Sequence, residues 1–346
     1  MPRFCRHNRF VERCPICRET VLNPAHPAPA EGQGRRSRTR TAKGTKDGRG
    51  GTGAGGARRA LPHGRRRGGL HVSHEQRAED DGYRTPLATG LRASADAERL
   101  AQEIGFAEGR LLALRTAPPD MYGEIREQED TEQAMWMCFL SAYLSPLEGG
   151  GRDSDPFAGI RKALQADWRA GEVPALEEIR LGPRTSHDPA RGDATLRAYL
   201  QWAEHAGSQA QGFTGDPAWT PARRFERIFE RLTLPGLGRM GRYELLVTLG
   251  RIGLAELRAE TLCFTNAPGT AHDDLTTVAA KRVFGIGEQM HLEHRAHELA
   301  KAMTVPMEAF DLALANWGAG ERATLGVAPE VLDQHSLERA REALGL

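Results

Sequence analysis

The sequence lacks several features by which large classes of protein are recognised. Only 6% of its 346 residues are aromatic, five are cysteine, and no apolar run follows the first basic residues. We therefore expect no secretory signal, and the longest nearly apolar stretch, residues 134–144, is too short to cross a bilayer. We expect a cytoplasmic protein with no membrane association. In a reducing compartment, cysteines favour metal binding over disulfides.

The near-neutral net charge of +1 conceals two regions of opposite sign. Residues 31–70 hold twelve basic and two acidic residues, and residues 1–30 hold five arginines and two glutamates. The other 276 residues therefore carry a net charge of −12. The sequence predicts a basic N-terminal arm joined to an acidic body that contains the apolar core.

The arm, assigned to residues 21–94, has little from which a core could form. Between positions 31 and 70 it contains twelve glycines and almost no large apolar residues. Burial of so little apolar surface cannot offset the entropy of ordering the chain, so we expect this linker to be disordered. Arginine-rich and glycine-rich tethers bind phosphates without sequence preference, which favours DNA as the partner. A merely solubilising linker is the alternative.

The first 20 residues contain four potential ligands for a metal ion. Cys5 and His7 form a Cys-x-His pair, and Cys14 and Cys17 form a Cys-x-x-Cys pair six residues later. Tetrahedral Zn²⁺ prefers such a Cys₃His set, and a segment with so few apolar residues needs the metal to fold. Four protein ligands leave no open position, so the predicted zinc is structural. A redox Cys-x-x-Cys motif is the alternative.

The remaining residues, 95–346, predict an all-α domain. Apolar residues recur at helical spacing, breaks fall at proline or glycine, and no alternation typical of strands is sustained. The clearest helical faces, in chain order, are Leu100/Ile104/Leu111/Leu112/Leu114, Trp136/Phe139/Leu140/Tyr143, Leu196/Leu200, Leu275 to Phe284, Leu292/Ala296/Leu299, Met307/Phe310/Leu314 and Leu332 to Leu344.

One pair of these helices is joined by a short glycine-rich hairpin. An apolar helical face runs from Phe225 to Leu232 and ends before Pro235, and Gly236 and Gly238 permit close backbone approach. A second helix starting near Arg239 would direct its free N–H groups at an anion. This arrangement indicates a contact with a nucleic-acid backbone. An ordinary turn between two helices is the alternative.

The segment from Leu234 to Gly238 resembles the helix-hairpin-helix of the DNA glycosylase superfamily. That resemblance implies DNA contacts by Gly236, Gly238, Arg239, Arg242 and Arg282. The position of the Schiff-base lysine in lyase-type members is Met240 here, so strand cleavage through an amine is not implied.

Two stretches further along, residues 278–287 and 305–317, are similar to the third clade of the alpha-glutamyl/putrescinyl thymine pyrophosphorylases. That resemblance, which we expect to extend over residues 95–317, implies a glycosylase-derived enzyme acting on flipped, hypermodified thymine in DNA. The implied reaction transfers an amino compound onto an activated 5-hydroxymethyluracil and displaces pyrophosphate. The zinc knuckle and the basic arm would then be accessory DNA contacts.

Three residues are candidates for the chemistry that these resemblances imply. Glycosylases place an essential aspartate at the start of a helix beyond the hairpin, and Asp274 has that position. A helix N-cap without a catalytic role is its alternative. Lys281, or Arg282, would stabilise the departing phosphate. Asp311 is either a second carboxylate or, as we favour, the buried partner of Lys281 or Arg282.

Two further features have non-catalytic interpretations. His291, His294 and His297 recur every three residues, and because that spacing drifts around a helix, we expect an exposed face and no metal site. The whole chain could also be a non-catalytic DNA-binding adaptor that uses only the hairpin and the zinc knuckle. A pocket lined by Asp274, Lys281 and Asp311 would favour the enzyme, whereas an Asp274 directed into its own helix N-terminus would favour the adaptor.

Overall fold

A computed structural model describes residues 78–148, 155–265 and 274–346. These residues form α-helices, short 3₁₀ turns and connecting segments, with no strand in these three ranges. The prediction of an all-α body is therefore confirmed for the described chain. The four predicted zinc ligands and residues 21–77 of the predicted linker lie outside the described residues.

The helices of the described chain are numbered here in order. They are α1 Ser94–Thr116, α2 Asp120–Glu127, α3 Thr131–Leu144, α4 Ala158–Ala163, α5 Ala194–His205, α6 Gln209–Thr214, α7 Pro221–Arg231, α8 Arg239–Ile252, α9 Leu275–Phe284, α10 Gln289–Met303, α11 Met307–Ala319 and α12 Gln334–Leu344. The 3₁₀ turns are Trp168–Ala170, Leu176–Glu178 and Pro189–Arg191.

The core is formed mainly by helices that are distant in sequence. The first long helix, α1, packs against α11 and α12, and α9 packs against α11. On the other side of the body, α3 packs against α8. Helix α3 is buried along nearly its whole length from Ala134, which explains why its sequence reads as continuously apolar. Helices α8, α9 and α11 therefore meet around a common interior.

The predicted helices are present. Leu112, one of the leucines from which the first helix was predicted, is 40% exposed on α1, whereas the adjacent Leu111 is buried. Adjacent residues point about 100° apart on a helix, and α1 is covered on one side only at this point. The exposed histidines on α10 lie where they were expected: His291, His294 and His297 are all on its outer side.

The last part of the predicted linker is folded onto the helical body, which corrects its assignment to a disordered arm. Ala88 and Leu91 are buried. The N–H of Gly90 donates to the carbonyl of Val283 at 2.8 Å, and the Tyr83 hydroxyl donates to the carbonyl of Leu344. The disorder inferred from the composition of residues 31–70 was assigned as far as residue 94. Residues 78–93, however, have apolar side chains that residues 31–70 lack.

None of the helices in the described ranges combines the length and the apolar character needed to cross a membrane.

Candidate functional site

The hairpin between α7 and α8 is held against the start of α5. Gly236 has φ of +83°, a backbone conformation that favours glycine. The Thr195 hydroxyl donates to the carbonyl of Pro235 at 2.7 Å, and a Cβ added to Gly236 would lie 2.2 Å from that hydroxyl oxygen. Gly236 therefore allows the hairpin to approach α5, whereas Gly238, the N-cap residue of α8, is exposed.

Arg239, the first residue of α8, points into the body instead of toward solvent. It is 3% exposed, its Nη1 lies 2.6 Å from Asp311 Oδ1, and its Nε donates to the carbonyl of Leu262 at 3.0 Å. Its guanidinium also lies 4.9 Å from the ring centroid of Tyr243. This position does not fit the predicted contact between the Arg239 side chain and a nucleic-acid phosphate, because the charge is already neutralised inside.

Asp311, on α11, has different partners from those that the sequence suggested. Its Oδ1 accepts hydrogen bonds from Arg239 and from the Thr276 hydroxyl, the latter at 3.0 Å, and its Oδ2 lies 3.5 Å from Nη2 of Arg184. The carboxylate is 2% exposed. The expected buried ion pair is therefore present, but the expected partner, Lys281 or Arg282, is wrong, since this side of α11 faces the starts of α8 and α9.

Asp274 is the N-cap residue of α9. Its Oδ1 accepts from the Thr277 N–H at 3.1 Å, and its Oδ2 accepts from the hydroxyls of Thr277 and of Thr265, the latter at 3.2 Å. Nη1 of Arg239 lies 3.6 Å from Oδ1. Asp274 therefore caps its helix, a geometry that is compatible with either of its predicted roles, and in addition it belongs to the same buried ionic cluster as Asp311. We call Arg184, Arg239, Asp274 and Asp311 the ionic cluster.

The electrostatics of the ionic cluster keep Arg239 charged. Burial alone would lower the pKa of its guanidinium, but the carboxylates of Asp311 and Asp274 outweigh burial and raise that pKa above its usual value. One cation thus links two carboxylates on different helices. Because Nη1 of Arg239 is shared between Asp311 and Asp274, a change of charge at one carboxylate alters the interaction of Arg239 with the other.

The other predicted phosphate contacts lie apart from the ionic cluster. Lys281 is exposed on α9 and makes no ion pair or hydrogen bond with another described residue. Arg282 donates to the carbonyl of Gly318 at 3.5 Å. Arg242 lies over the ring of Phe229 at 4.3 Å and donates to that residue's carbonyl at 2.9 Å, so it joins α8 to the end of α7. Of the three predicted catalytic residues, the structure brings together Asp274 and Asp311 only.

Sequence reasoning missed two residues that support the ionic cluster. Arg184 lies in an irregular segment, and nothing in its sequence context indicates a buried cation. Glu293, on α10, accepts the backbone N–H groups of Leu262 and Phe264 at 2.8 and 3.0 Å. It thereby orients the segment whose Leu262 carbonyl binds Arg239. Burial raises the pKa of the Glu293 carboxyl, and the two N–H groups oppose that rise.

The main cavities of the described ranges lie away from the predicted catalytic residues: none of these five is lined by Asp274, Lys281 or Asp311. No group of three or more potential metal ligands occurs in the same residues. Residues 266–273, which immediately precede Asp274, lie outside the described chain.

Comparison with known families identifies one match. Residues 183–323 match the family model described as alpha-glutamyl/putrescinyl thymine pyrophosphorylase clade 3. No curated protein and no solved structure matches the chain. The resemblance expected from the sequence is confirmed, although the match begins at residue 183 and not near residue 95. This range contains the hairpin and all four residues of the ionic cluster.

Proposed function

We propose that the protein modifies a base of DNA, acting on a flipped, activated thymine derivative by transferring an amino compound to it with displacement of pyrophosphate. The observation that carries this proposal is the position of the ionic cluster. All four of its residues fall within the range that matches the thymine pyrophosphorylase family, although they come from an irregular segment and three separate helix positions.

The reaction requires one new bond and one broken bond at the exocyclic methylene carbon of the base. The nitrogen of the amino compound bonds to this carbon, while the bond from the carbon to the pyrophosphate oxygen breaks and the electron pair leaves with pyrophosphate. The proton lost by nitrogen passes to a carboxylate. Asp274 is that carboxylate in the proposal, because it is the cluster member located at the start of a helix beyond the hairpin.

Asp311 and Arg239 act in this scheme as positioning residues. Arg239 is shared between the two carboxylates, so it holds Asp274 in place and balances part of its charge. A carboxylate whose charge is balanced in this way can orient an amine without repelling the phosphates of the substrate. Lys281, which is exposed two helical turns after Asp274, supplies the cation for the departing pyrophosphate.

The hairpin and the N-terminal segments hold DNA in this proposal. Gly238 is exposed at the start of α8, where free N–H groups of the helix can bind a phosphate through the backbone. This contact does not need the buried side chain of Arg239. The zinc knuckle at Cys5, His7, Cys14 and Cys17 and the basic arm add contacts that do not depend on sequence. Deletion of residues 31–70 would reduce the salt dependence of DNA binding.

A non-catalytic DNA-binding adaptor is the second candidate. Two observations favour it: Asp274 caps its own helix, and none of the five main cavities in the described ranges is lined by Asp274, Lys281 or Asp311. In this case the ionic cluster only stabilises the fold, and the chain presents the hairpin and the zinc knuckle to DNA.

The substitution Asp274→Asn separates the two candidates. Asparagine still accepts a hydrogen bond from the Thr277 N–H, so the loss in capping is well under about 1 kcal/mol. Removal of a carboxylate that takes up a proton costs a factor of about 10² to 10⁴ in rate. The measurement is mass spectrometry of nucleosides from thymine-modified DNA incubated with the full-length protein, zinc and candidate amines.

Asp333→Asn is the matched control, because Asp333 caps α12 through the Ser336 N–H at 2.7 Å and lies outside the ionic cluster. We expect Asp274→Asn to lose turnover while Asp333→Asn retains it, with both variants assayed at a temperature at which circular dichroism shows them folded, because Asp274 also balances part of the charge of Arg239. Equal turnover of the two variants would exclude Asp274 from the chemistry. If the wild-type protein changes no nucleoside, the enzymatic function is excluded and the non-catalytic adaptor is favoured.

A further inference from the structure

An open cavity of about 830 Å³ lies between the start of α5 and the segment that precedes it. Apolar side chains, among them Val173, Leu176, Leu181 and Pro189, line it together with the polar side chains of Glu177, His187, Asp193 and Arg197. The volume lies in the range of small-molecule sites, and such sites combine apolar walls with a few converging polar groups. The cavity contains none of the residues of the ionic cluster.

His187 is one of the polar residues that line this cavity. Its Nδ1 lies 2.9 Å from the hydroxyl of Tyr143, and its backbone N–H donates to the Thr185 hydroxyl at 3.1 Å. Burial lowers the pKa of the His187 imidazole, which favours the neutral ring, while the carboxylates of Asp188 and Glu177 oppose that change. In the tautomer whose Nδ1–H donates to the Tyr143 hydroxyl, Nε2 is an acceptor, and it has no partner among the described residues.

The charged groups around the cavity leave one carboxylate uncompensated. Asp193 is paired with Arg197 at 2.8 Å, and the neighbouring Asp188 is paired with Arg191 at 3.4 Å. Glu177, which lines the cavity, forms no ion pair or hydrogen bond with any described residue. The local charge is thus net negative, and a cation is favoured over an anion.

The cavity is connected to the ionic cluster by a short run of chain. Arg184 pairs with Asp311, and His187 lines the cavity three residues later. The Cα atoms of Arg184 and His187 are therefore no more than roughly 11 Å apart. Between them, Ser186 packs against α8: a Cβ added to Gly241 would lie 2.3 Å from the Ser186 hydroxyl oxygen. The cavity and the first turn of α8 therefore share one segment.

We infer that this cavity binds a small organic amine, with the carbon body against Val173, Leu176 and Leu181 and the ammonium group between Glu177 and Nε2 of His187. An ammonium group donates hydrogen bonds only, which suits a carboxylate and an imidazole nitrogen that accepts. The cavity is separate from Asp274, so the later passage of the bound amine to Asp274 and its transfer to the base rest on the proposed function, whereas its binding in the cavity does not.

Part of the cavity wall lies outside the range of the family match, which begins at residue 183. Val173, Leu176, Glu177 and Leu181 precede that position. The choice of amine is then a property of this chain's own segment 173–181, and not of the part that it shares with the family.

The test is calorimetric titration of the full-length protein, without DNA, with hexylamine, hexanol and hexanoate. These three probes share a carbon chain and differ in charge. We expect hexylamine to bind more tightly than hexanol, and hexanoate to bind least. Glu177→Gln should lower the affinity for hexylamine about fivefold, as the loss of an exposed ion pair does. The affinity for hexanol should stay unchanged.

Two variants serve as controls. Glu178→Gln removes the adjacent carboxylate, which is paired with Lys162 at 3.2 Å and does not line the cavity, so hexylamine affinity should stay within about twofold of wild type. Ala175→Trp fills the cavity from an exposed position and should weaken hexylamine and hexanol alike.

Equal affinity for hexylamine and hexanoate would overturn the amine site. So would an affinity for hexylamine that neither Glu177→Gln nor Ala175→Trp changes. Turnover on modified DNA with an unchanged KM for the amine in Ala175→Trp would also overturn it, while leaving the proposed function intact. Conversely, amine binding in the cavity without any nucleoside change would contradict the proposed function and leave the amine site standing.

Discussion

The ionic cluster and the amine cavity lie on either side of the same short segment, yet their polar groups are used in opposite ways. In the ionic cluster, all four carboxylate oxygens of Asp274 and Asp311 have a partner within the chain. In the cavity, the Glu177 carboxylate and Nε2 of His187 have none among the described residues. The partners of Asp274 and Asp311 fix the positions of these carboxylates, whereas unsatisfied groups at the wall of an open cavity are available to a ligand without rearrangement.

The largest effect that this comparison predicts is on stability, at Asp311. Asp311→Asn keeps the size of the side chain and one oxygen for the Thr276 hydroxyl, but it removes the charge that balances Arg239 and Arg184. An uncompensated buried cation costs about 3–5 kcal/mol of the free energy of unfolding. Urea unfolding followed by circular dichroism would measure this loss.

The contrasting variant is Glu177→Gln, at the cavity wall. It should change the free energy of unfolding by less than about 0.5 kcal/mol, as is usual for exposed substitutions. Equal stability losses in Asp311→Asn and Glu177→Gln would show that the two regions do not differ in the way described.

A smaller loss of stability is expected at the hairpin, which is bound to the start of α5 through Thr195. Gly236→Ala must adopt φ of +83° and place a methyl group against the Thr195 hydroxyl. The backbone strain alone costs about 1–2 kcal/mol, and the clash adds to it. Thermal unfolding of the variant would give the total.

Gly171→Ala separates the two contributions, since Gly171 has φ of +80° and an added Cβ would meet nothing within 4 Å. It should show the backbone strain without the clash. If Gly236→Ala and Gly171→Ala lower the free energy of unfolding equally, the close contact between the hairpin and Thr195 adds nothing to the loss at Gly236.

The smallest predicted effect is the pH dependence of amine binding. The folded-state pKa of His187 lies below the reference value of 6.5, so the imidazole stays neutral above that pH and becomes a cation as the pH falls through its lowered pKa. Around it lie the Tyr143 hydroxyl, the carboxylates of Glu177 and Asp188, and the Asp193–Arg197 pair. Protonation removes the acceptor at Nε2 and repels the ammonium group.

We therefore expect hexylamine affinity to fall a few-fold, an effect of about 1 kcal/mol, when the pH is lowered from neutral to well below 6.5. In His187→Gln, which cannot be protonated, affinity should be lower at neutral pH and independent of pH in this range. A pH dependence that persists in His187→Gln would assign it to another group.

The features that were predicted correctly are those that neighbouring residues determine. Helix α9 begins after Asp274 and ends at Phe284 before Gly285, as the sequence indicated, because an N-cap aspartate, an apolar period and a C-terminal glycine all act within one or two turns. The short helices α2, α4 and α6 were not predicted, since fewer than nine residues give little periodicity to detect.

The errors at the candidate site arise from contacts between distant parts of the chain. The sequence indicated that Asp311 is buried and paired, but helical periodicity identifies a buried face without identifying the element that covers it. Arg239 was read as a surface residue because it stands at a helix start. Only the folded arrangement of α8, α9 and α11 shows that these two side chains meet.

The contact between Tyr83 and the carbonyl of Leu344 has a consequence for biosynthesis. These residues are 261 positions apart, and α1 packs against both α11 and α12. During translation, α1 leaves the ribosome long before either of those helices has been made. The apolar side of α1 therefore stays uncovered until α11 and α12 have been made, and during that interval the nascent chain is exposed to aggregation and to chaperones. A premature stop within α11 would leave that side uncovered permanently.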